Sequence, residues 1–318
     1  MILDIFGNLL YIKDSQIDSN YDLLNLINKG DRFSNDDNVI EVVSSAKKDQ
    51  KLAVSWTVFN MDYIPLYSIL TLFDIVDDIG IVVCIGQKIV DNTANCTNIT
   101  TFNNKDYAVF QLNEMMPQLF DINSSQFENV NDPTDISKIF QDYPTNCNYI
   151  RSVFYSDNMY DIVIATNDTG KLYITVATKD KFIIRRIKTF NRILSFIKFF
   201  KEKGESNIYK LVTTEGDGPV LHFNIEINDG DFQETLNFQD NTWENYDLIT
   251  NIDFNSDMTE YSVSTYSGGV FVFKYFWNHS TLNHVFNVDC PITTIKYISD
   301  TSYAILSTSG LHIYKRIL

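Results

Sequence analysis

The side chains that could hold a metal or move a proton are few in this 318-residue chain, and they are scattered. The four histidines are His222, His279, His284 and His312; the four cysteines are Cys84, Cys96, Cys147 and Cys290. None of them forms a Cys-x-x-Cys pair or a Cys/His pair at ligand spacing, and zinc needs three or four such ligands at one point, so no metal site is expected. Asn228-Asp229-Gly230-Asp231 has the flavour of a calcium loop but lacks the ordered acids and distant Glu of an EF-hand, and reads as a β-turn. With only 12 glycines the chain has neither a Gly-x-Gly-x-x-Gly turn nor a Gly-Lys-Ser/Thr loop. Glu215-Gly216-Asp217-Gly218 is a hairpin turn, where glycine supplies positive φ, and no cofactor is expected. A Ser-His-Asp group meets only in space, but no Gly-x-Ser-x-Gly elbow singles out a serine, so the chain is read as a non-enzyme.

What the side chains suggest instead is a surface for protein partners. The net charge is −16, yet ten basic residues against two acids fall between Lys171 and Lys203, a window of +8 that leaves −24 on the rest. Such a window would orient an incoming acidic segment, and Lys181, Arg185, Arg186, Lys188 and Arg192 are its interaction candidates. Its ordinary reading is a solvated pair of strands with alternating exposed cations. Nucleic acid is disfavoured as a direct ligand, because the acidic remainder repels phosphates. Trp243, Tyr246 and Trp277 fall outside the regular strand positions and are candidate aromatic anchors, with core packing as the competing role. His222 and His312 occupy equivalent third-strand positions, which predicts packing; His279 and His284 fall in a hairpin near Trp277.

Those residues must be held by strands. A strand-turn-strand phrase recurs four times: Ile162–Thr166 into Thr169–Ile174, Lys210–Thr214 into Gly218–Phe223, Tyr261–Thr265 into Gly268–Phe273, and Ala304–Thr308 into Gly310–Tyr314. Each is preceded by an apolar strand with an aromatic end, at Tyr155, Phe199, Phe254 and Tyr297, three of the four followed by a Ser-Asp turn. Alternating patterning at a period in the forties marks an all-β array of propeller blades. The first 144 residues hold strand candidates at Leu52 to Phe59, Leu66 to Phe73, Ile79 to Ile85 and Tyr107 to Leu112, with room for about three more blades. The expectation is a single seven-bladed β-propeller spanning 1–318. Gly7–Ile12 copies the Gly-led strand and should complete the blade begun by Pro291 to Ile317, which would remove open edges. Two polar stretches, 13–38 and 121–144, read as surface insertions, the first with a short helix near Tyr21–Ile27.

The order of leading strand, Ser-Asp turn, Ser/Thr-ended strand and Gly-led strand resembles a degenerate WD40 repeat over about residues 145–318. It departs from that pattern in lacking the Gly-His before the first strand and the Trp-Asp after the third, so the hydrogen-bonded tetrad of typical blades must be absent or replaced. The resemblance implies a scaffold or adaptor subunit of a multiprotein complex that recognises partners on a rigid surface. A propeller hydrolase and an acidic carrier of a basic protein are the alternatives. No run approaches the roughly 18 apolar residues of a membrane span. The acid in Met1–Gly7 argues against a signal peptide, so an intracellular protein, cytoplasmic or nuclear, is expected and the five Asn-x-Ser/Thr triplets carry no meaning.

Overall fold

Short apolar runs bounded by Gly, Asn and Ser-Asp turns pair with their chain neighbours, because a hairpin closes at little entropic cost. The computed structural model describes the chain apart from residues 1, 4–7, 14–15, 35, 77–80, 103–104, 114, 116, 129–149, 168, 179–182, 191–193, 203, 205–206, 216–217, 229–230, 241–246 and 316–318. It divides into two units, Met1–Ile12 with Ile17–Thr189, and Lys13–Gln16 with Phe190–Leu318.

The first unit holds β1 (Ile2–Leu3), β2 (Asn8–Lys13) and β3 (Gln16–Asp22), which form a three-stranded sheet. Three four-stranded meanders follow. They are β4 (Asn38–Lys48), β5 (Lys51–Asn60), β6 (Pro65–Val76) and β7 (Ile81–Val90); β8 (Ala94–Phe102), β9 (Lys105–Leu112), β10 (Gln118–Asp121) and β11 (Gln126–Glu128); and β12 (Ile150–Ser156), β13 (Tyr160–Asn167), β14 (Lys171–Thr178) and β15 (Ile183–Thr189). Trp56, fully buried on β5, anchors one core cluster with Val54, Ile69 and Phe73. Its indole Nε1 donates to Thr71 Oγ1 at 2.9 Å, so the polar edge of the largest buried ring stays satisfied. Leu23 and Ile27 join the same cluster, from and beside a single 3-10 turn (Leu23–Leu26).

The second unit holds β16 (Leu194–Lys201), β17 (Ile208–Glu215), β18 (Val220–Asn228) and β19 (Asp231–Asp240); β20 (Ile249–Phe254), β21 (Glu260–Thr265), β22 (Gly269–Phe276) and β23 (His279–Asn287); and β24 (Ile292–Ser299), β25 (Ser302–Ser307) and β26 (Gly310–Lys315). Every pairing is antiparallel. The recurring phrase occupies the second and third strands throughout. A bulge also recurs: the leading strands β8, β16, β20 and β24 each skip their second residue in register. In two of them the skipped hydroxyl is bonded to the facing strand, Thr250 Oγ1 to Ser264 O at 3.2 Å and Thr293 Oγ1 to Leu306 O at 3.0 Å.

Two expectations need correction. The blade-type sheets number six among the described residues, not seven. Strands β4, β5 and β6 run 11, 10 and 12 residues, longer than the six to eight of β20, β21 and β22, so the first part of the chain is used up by two such sheets and the N-terminal one. Nor, among the described residues, does the N-terminal strand join the sheet of the C-terminal blade. Strand β2 pairs with its chain neighbours in a sheet of its own, and β24–β26 form a three-stranded sheet. The polar stretch 13–38 contains β3, and 121–144 contains the end of β10, a turn and β11, with 129–144 lying outside the described residues.

Candidate functional site

The second unit concentrates its polar side chains at the seams between successive sheets. His222, the third residue of β18, is 1% exposed and stacks on Phe238 at 4.1 Å. Its Nε2 lies 3.0 Å from Asp240 Oδ2 at the end of β19. From the next sheet, Tyr261 donates its hydroxyl to the same Asp240 oxygen, and Ser280 Oγ donates to Oδ1 at 2.5 Å. Burial pulls the His222 imidazole below its ordinary range, and the opposing pull of Asp240 does not restore it. The ring is therefore neutral and donates from Nε2, while Nδ1 is buried without a partner. For Asp240 burial works upward, but bonds from His222, Ser280 and Tyr261 outweigh it and hold the carboxyl below its usual value. This His-Asp-Tyr-Ser group bonds the end of β19 to the next sheet.

A second seam is built on Lys210 of β17, whose side chain is 3% exposed. Its Nζ donates to Asn224 Oδ1 at 2.5 Å and to the Trp277 carbonyl at 2.8 Å, pairs with Glu202 Oε2 at 3.1 Å, and sits 5.8 Å from the Trp277 ring centroid. A buried ammonium must be paired in this way or lose its proton. A third seam is Glu260, 6% exposed, whose Oε1 accepts from the Tyr297 and Tyr303 hydroxyls, each at 3.1 Å. Beside the three seams lies a cavity of about 930 Å³, with Glu202, Asp257, Asp300, Tyr275, Phe276 and Trp277 in its walls.

The third sheet of this unit carries a hydroxyl-thiol chain. Ser309 Oγ lies 2.8 Å from His312 Nε2 and 3.1 Å from Cys290 Sγ, and Ser307 Oγ is 3.0 Å from the same His312 nitrogen. His222 is packed as its strand position predicts; His312 is half-buried and hydrogen-bonded instead, because β26 is the last strand of its sheet.

The predicted interaction residues that are described fall in both units. Lys181, Arg192, Trp243 and Tyr246 lie outside the described residues. Arg185, Arg186 and Lys188 lie on β15, the outermost strand of its sheet, opposite Thr175, Ile174 and Leu172 of β14. Of the other cations in the stretch, Lys171 lies on β14, Lys198 and Lys201 lie on β16 in the second unit, and Lys179 and Lys203 lie outside the described residues. On β16 burial, then the Lys296 charge, pulls the Lys198 ammonium down, and Lys201 sits over the Tyr209 ring at 5.3 Å. Trp277 is half-buried, a cavity wall packed on Tyr275 at 5.6 Å and Phe200 at 6.0 Å. His279 is exposed and stacks on Phe276 at 4.8 Å; His284 is half-buried against Phe286. Sequence reading missed Asp240, Lys210, Glu202 and Glu260; only Glu202 carries a signal, as the counterpart of Asp257 and Asp300 three residues beyond the aromatic end of a leading strand.

No protein-family model matches the chain, and no curated protein matches it. Solved structures do. The β-propeller domain of Cps50 (Swd1) from Myceliophteria thermophila is 13% identical, covers 87% of this chain and 96% of that one, and has a TM-score of 0.57. Sqt1 from Saccharomyces cerevisiae is 8% identical over 86% and 82%, at 0.55. A candidate 6-phosphogluconolactonase from Bacteroides fragilis is 13% identical over 90% and 93%, at 0.53. At these identities the likeness speaks to architecture alone, and with the succession of blade-type sheets it gives one conclusion: the chain has the β-propeller fold, with six blades among the described residues.

Proposed function

We propose that this chain is a non-catalytic scaffold or adaptor subunit of an intracellular multiprotein complex, a single propeller that recognises protein segments on a rigid surface. The observation that carries the reading is the use made of the chemistry-bearing side chains. His222, Asp240, Lys210 and Glu260 are all engaged in bonds that lock one sheet to the next, which stiffens a recognition surface. The resemblance to WD40 repeats supports the same reading, since such proteins as a group present loops and strand edges to partners. No helix among the described residues is long and apolar enough to cross a membrane. Strand β15, with Arg185, Arg186 and Lys188 at the outer edge of its sheet, is the proposed contact for an acidic partner segment, together with Lys181.

The test is affinity purification of the tagged protein with mass spectrometry, wild type against a folded Lys181→Glu, Arg185→Glu, Arg186→Glu, Lys188→Glu variant. Partners lost in the variant support both statements. Unchanged partners keep the scaffold and remove the β15 contact, and an absence of stoichiometric partners overturns the scaffold itself.

One observation favours a hydrolase as the second reading, the Ser309–His312 hydrogen bond at the surface. A fluorophosphonate probe that labels wild type but not Ser309→Ala would establish it. No labelling would remove it.

A further inference from the structure

The cavity of the second unit has a wall that the repeat itself generates. Glu202, Asp257 and Asp300 each stand three residues beyond the aromatic end of a leading strand, at Phe199, Phe254 and Tyr297, so successive blades each give one carboxylate to the cavity wall. Asp257 and Asp300 are exposed, and Glu202 is half-buried against Lys210. Against this row stands an aromatic wall from the end of β22 and the turn after it, Tyr275, Phe276 and Trp277. Phe276 is 44% exposed and Trp277 half-buried, while Tyr275 is only 5% exposed. The Tyr275 hydroxyl makes no hydrogen bond, and it lies close enough to Glu202 to feel that charge. A buried hydroxyl without a partner at the wall of a cavity is a polar group awaiting one. Among the described residues of the lining Lys274 is the one cation, against Glu202, Asp257, Glu260 and Asp300, so these walls are net acidic.

We propose that this cavity receives an arginine side chain from a basic segment of a partner protein. A planar guanidinium has five N–H donors in a fixed fork, enough to reach two rim carboxylates and the Tyr275 oxygen, and its face stacks on an aromatic ring. A lysine ammonium offers a point charge with heavier hydration and no plane to stack. The inference rests on the interaction reading above and names one class of partner for it, a basic segment at the rim.

The probe is a fluorescein-labelled heptapeptide of alternating glycine and arginine, its lysine counterpart beside it, titrated against the full chain by anisotropy at about 0.15 M salt. Asp257→Asn with Asp300→Asn should weaken the arginine peptide about tenfold, as expected for two rim charges. Asp36→Asn with Asp62→Asn, the same charge change on exposed positions of the first unit, should leave affinity within about twofold, the residue of screened long-range attraction. The lysine peptide should bind more weakly than the arginine one. Equal losses in the two double variants, equal affinity for both peptides, or no binding by wild type would each overturn the assignment. Partner capture separates this from the broader reading: a wild type that retains its protein partners yet ignores the peptide loses the arginine site and keeps the scaffold, whereas a cavity that binds the peptide in a protein that captures no partner keeps the site and loses the scaffold.

Discussion

Asp253 and Lys296 are 43 residues apart in sequence and 3.1 Å apart in space. The same step separates Asn251 from Thr294, at 2.6 Å, and Glu260 from Tyr303, at 3.1 Å. A step of 44 joins the Tyr297 amide to Asp253 Oδ2 at 2.9 Å. The period that marks the repeat is thus also the spacing at which neighbouring sheets are bonded.

Asp253 is 7% exposed and Lys296 has an exposed side chain, so their ion pair contributes little while the bond from the Tyr297 amide contributes more. Asp253→Asn, which keeps an acceptor, should lower stability by about 0.5 kcal/mol, and Asp253→Ala by about 2 kcal/mol. Urea unfolding midpoints check the order, and equal losses would show that charge, not the backbone bond, matters at this seam.

Acid should weaken the protein through His222. Its folded imidazole titrates below the ordinary 6.5, so the unfolded chain takes up a proton that the folded chain refuses. Stability is then lost as pH falls through 6.5, down to the folded value. Asp240, held below its usual 3.8, loses its contribution in the same direction at lower pH. Thermal melts from pH 8 to 5 should slope downward in wild type and run flatter in His222→Gln; parallel slopes would exclude His222 as the source.

Gly268 has φ +101, and an added Cβ would fall 2.0 Å from the Val288 carbonyl oxygen. Gly310 has φ +119 but open space around it. Gly268→Ala should therefore cost about 3 kcal/mol, strain plus clash, and Gly310→Ala about 1 kcal/mol, strain alone. Comparable losses in chemical denaturation would mean that the neighbour yields.

Thiol reactivity should rank the described cysteines. Hydroxyl bonds from Ser307 and Ser309 lower the Cys290 thiol, whereas burial raises that of Cys84. Iodoacetamide at pH 7.5, followed by peptide mass spectrometry, should modify Cys290 well before Cys84, and Ser309→Ala should slow Cys290. Faster labelling of Cys84 would contradict the arrangement.

The strands of the repeat were legible because period-two patterning and turn glycines act locally: β13–β14, β17–β18, β21–β22 and β25–β26 all lie where the phrase places them. The blade count was not, since nothing local announces that β4–β6 are long or that β2 has its own partners. For the site, the same locality cut the other way. Asp257 and Asp300 read as turn residues one at a time, and only the cavity they line together with Glu202 makes them a group. Asp240 gave no warning at all, because its partners His222, Tyr261 and Ser280 lie on three other strands.

The bulge near the start of β8, β16, β20 and β24 makes the leading strand one residue longer than its partner requires. Ile249 faces Thr265 and Asn251 faces Ser264, so the bulge already sets these two side chains on opposite faces, and removing Thr250 would make the ladder continuous with each on the face it holds. A residue removed farther along the same strand has no bulge to absorb it and turns everything on one side of the deletion inside out. Single-residue deletions in the leading strands should consequently be mild at the bulge and harmful beyond it.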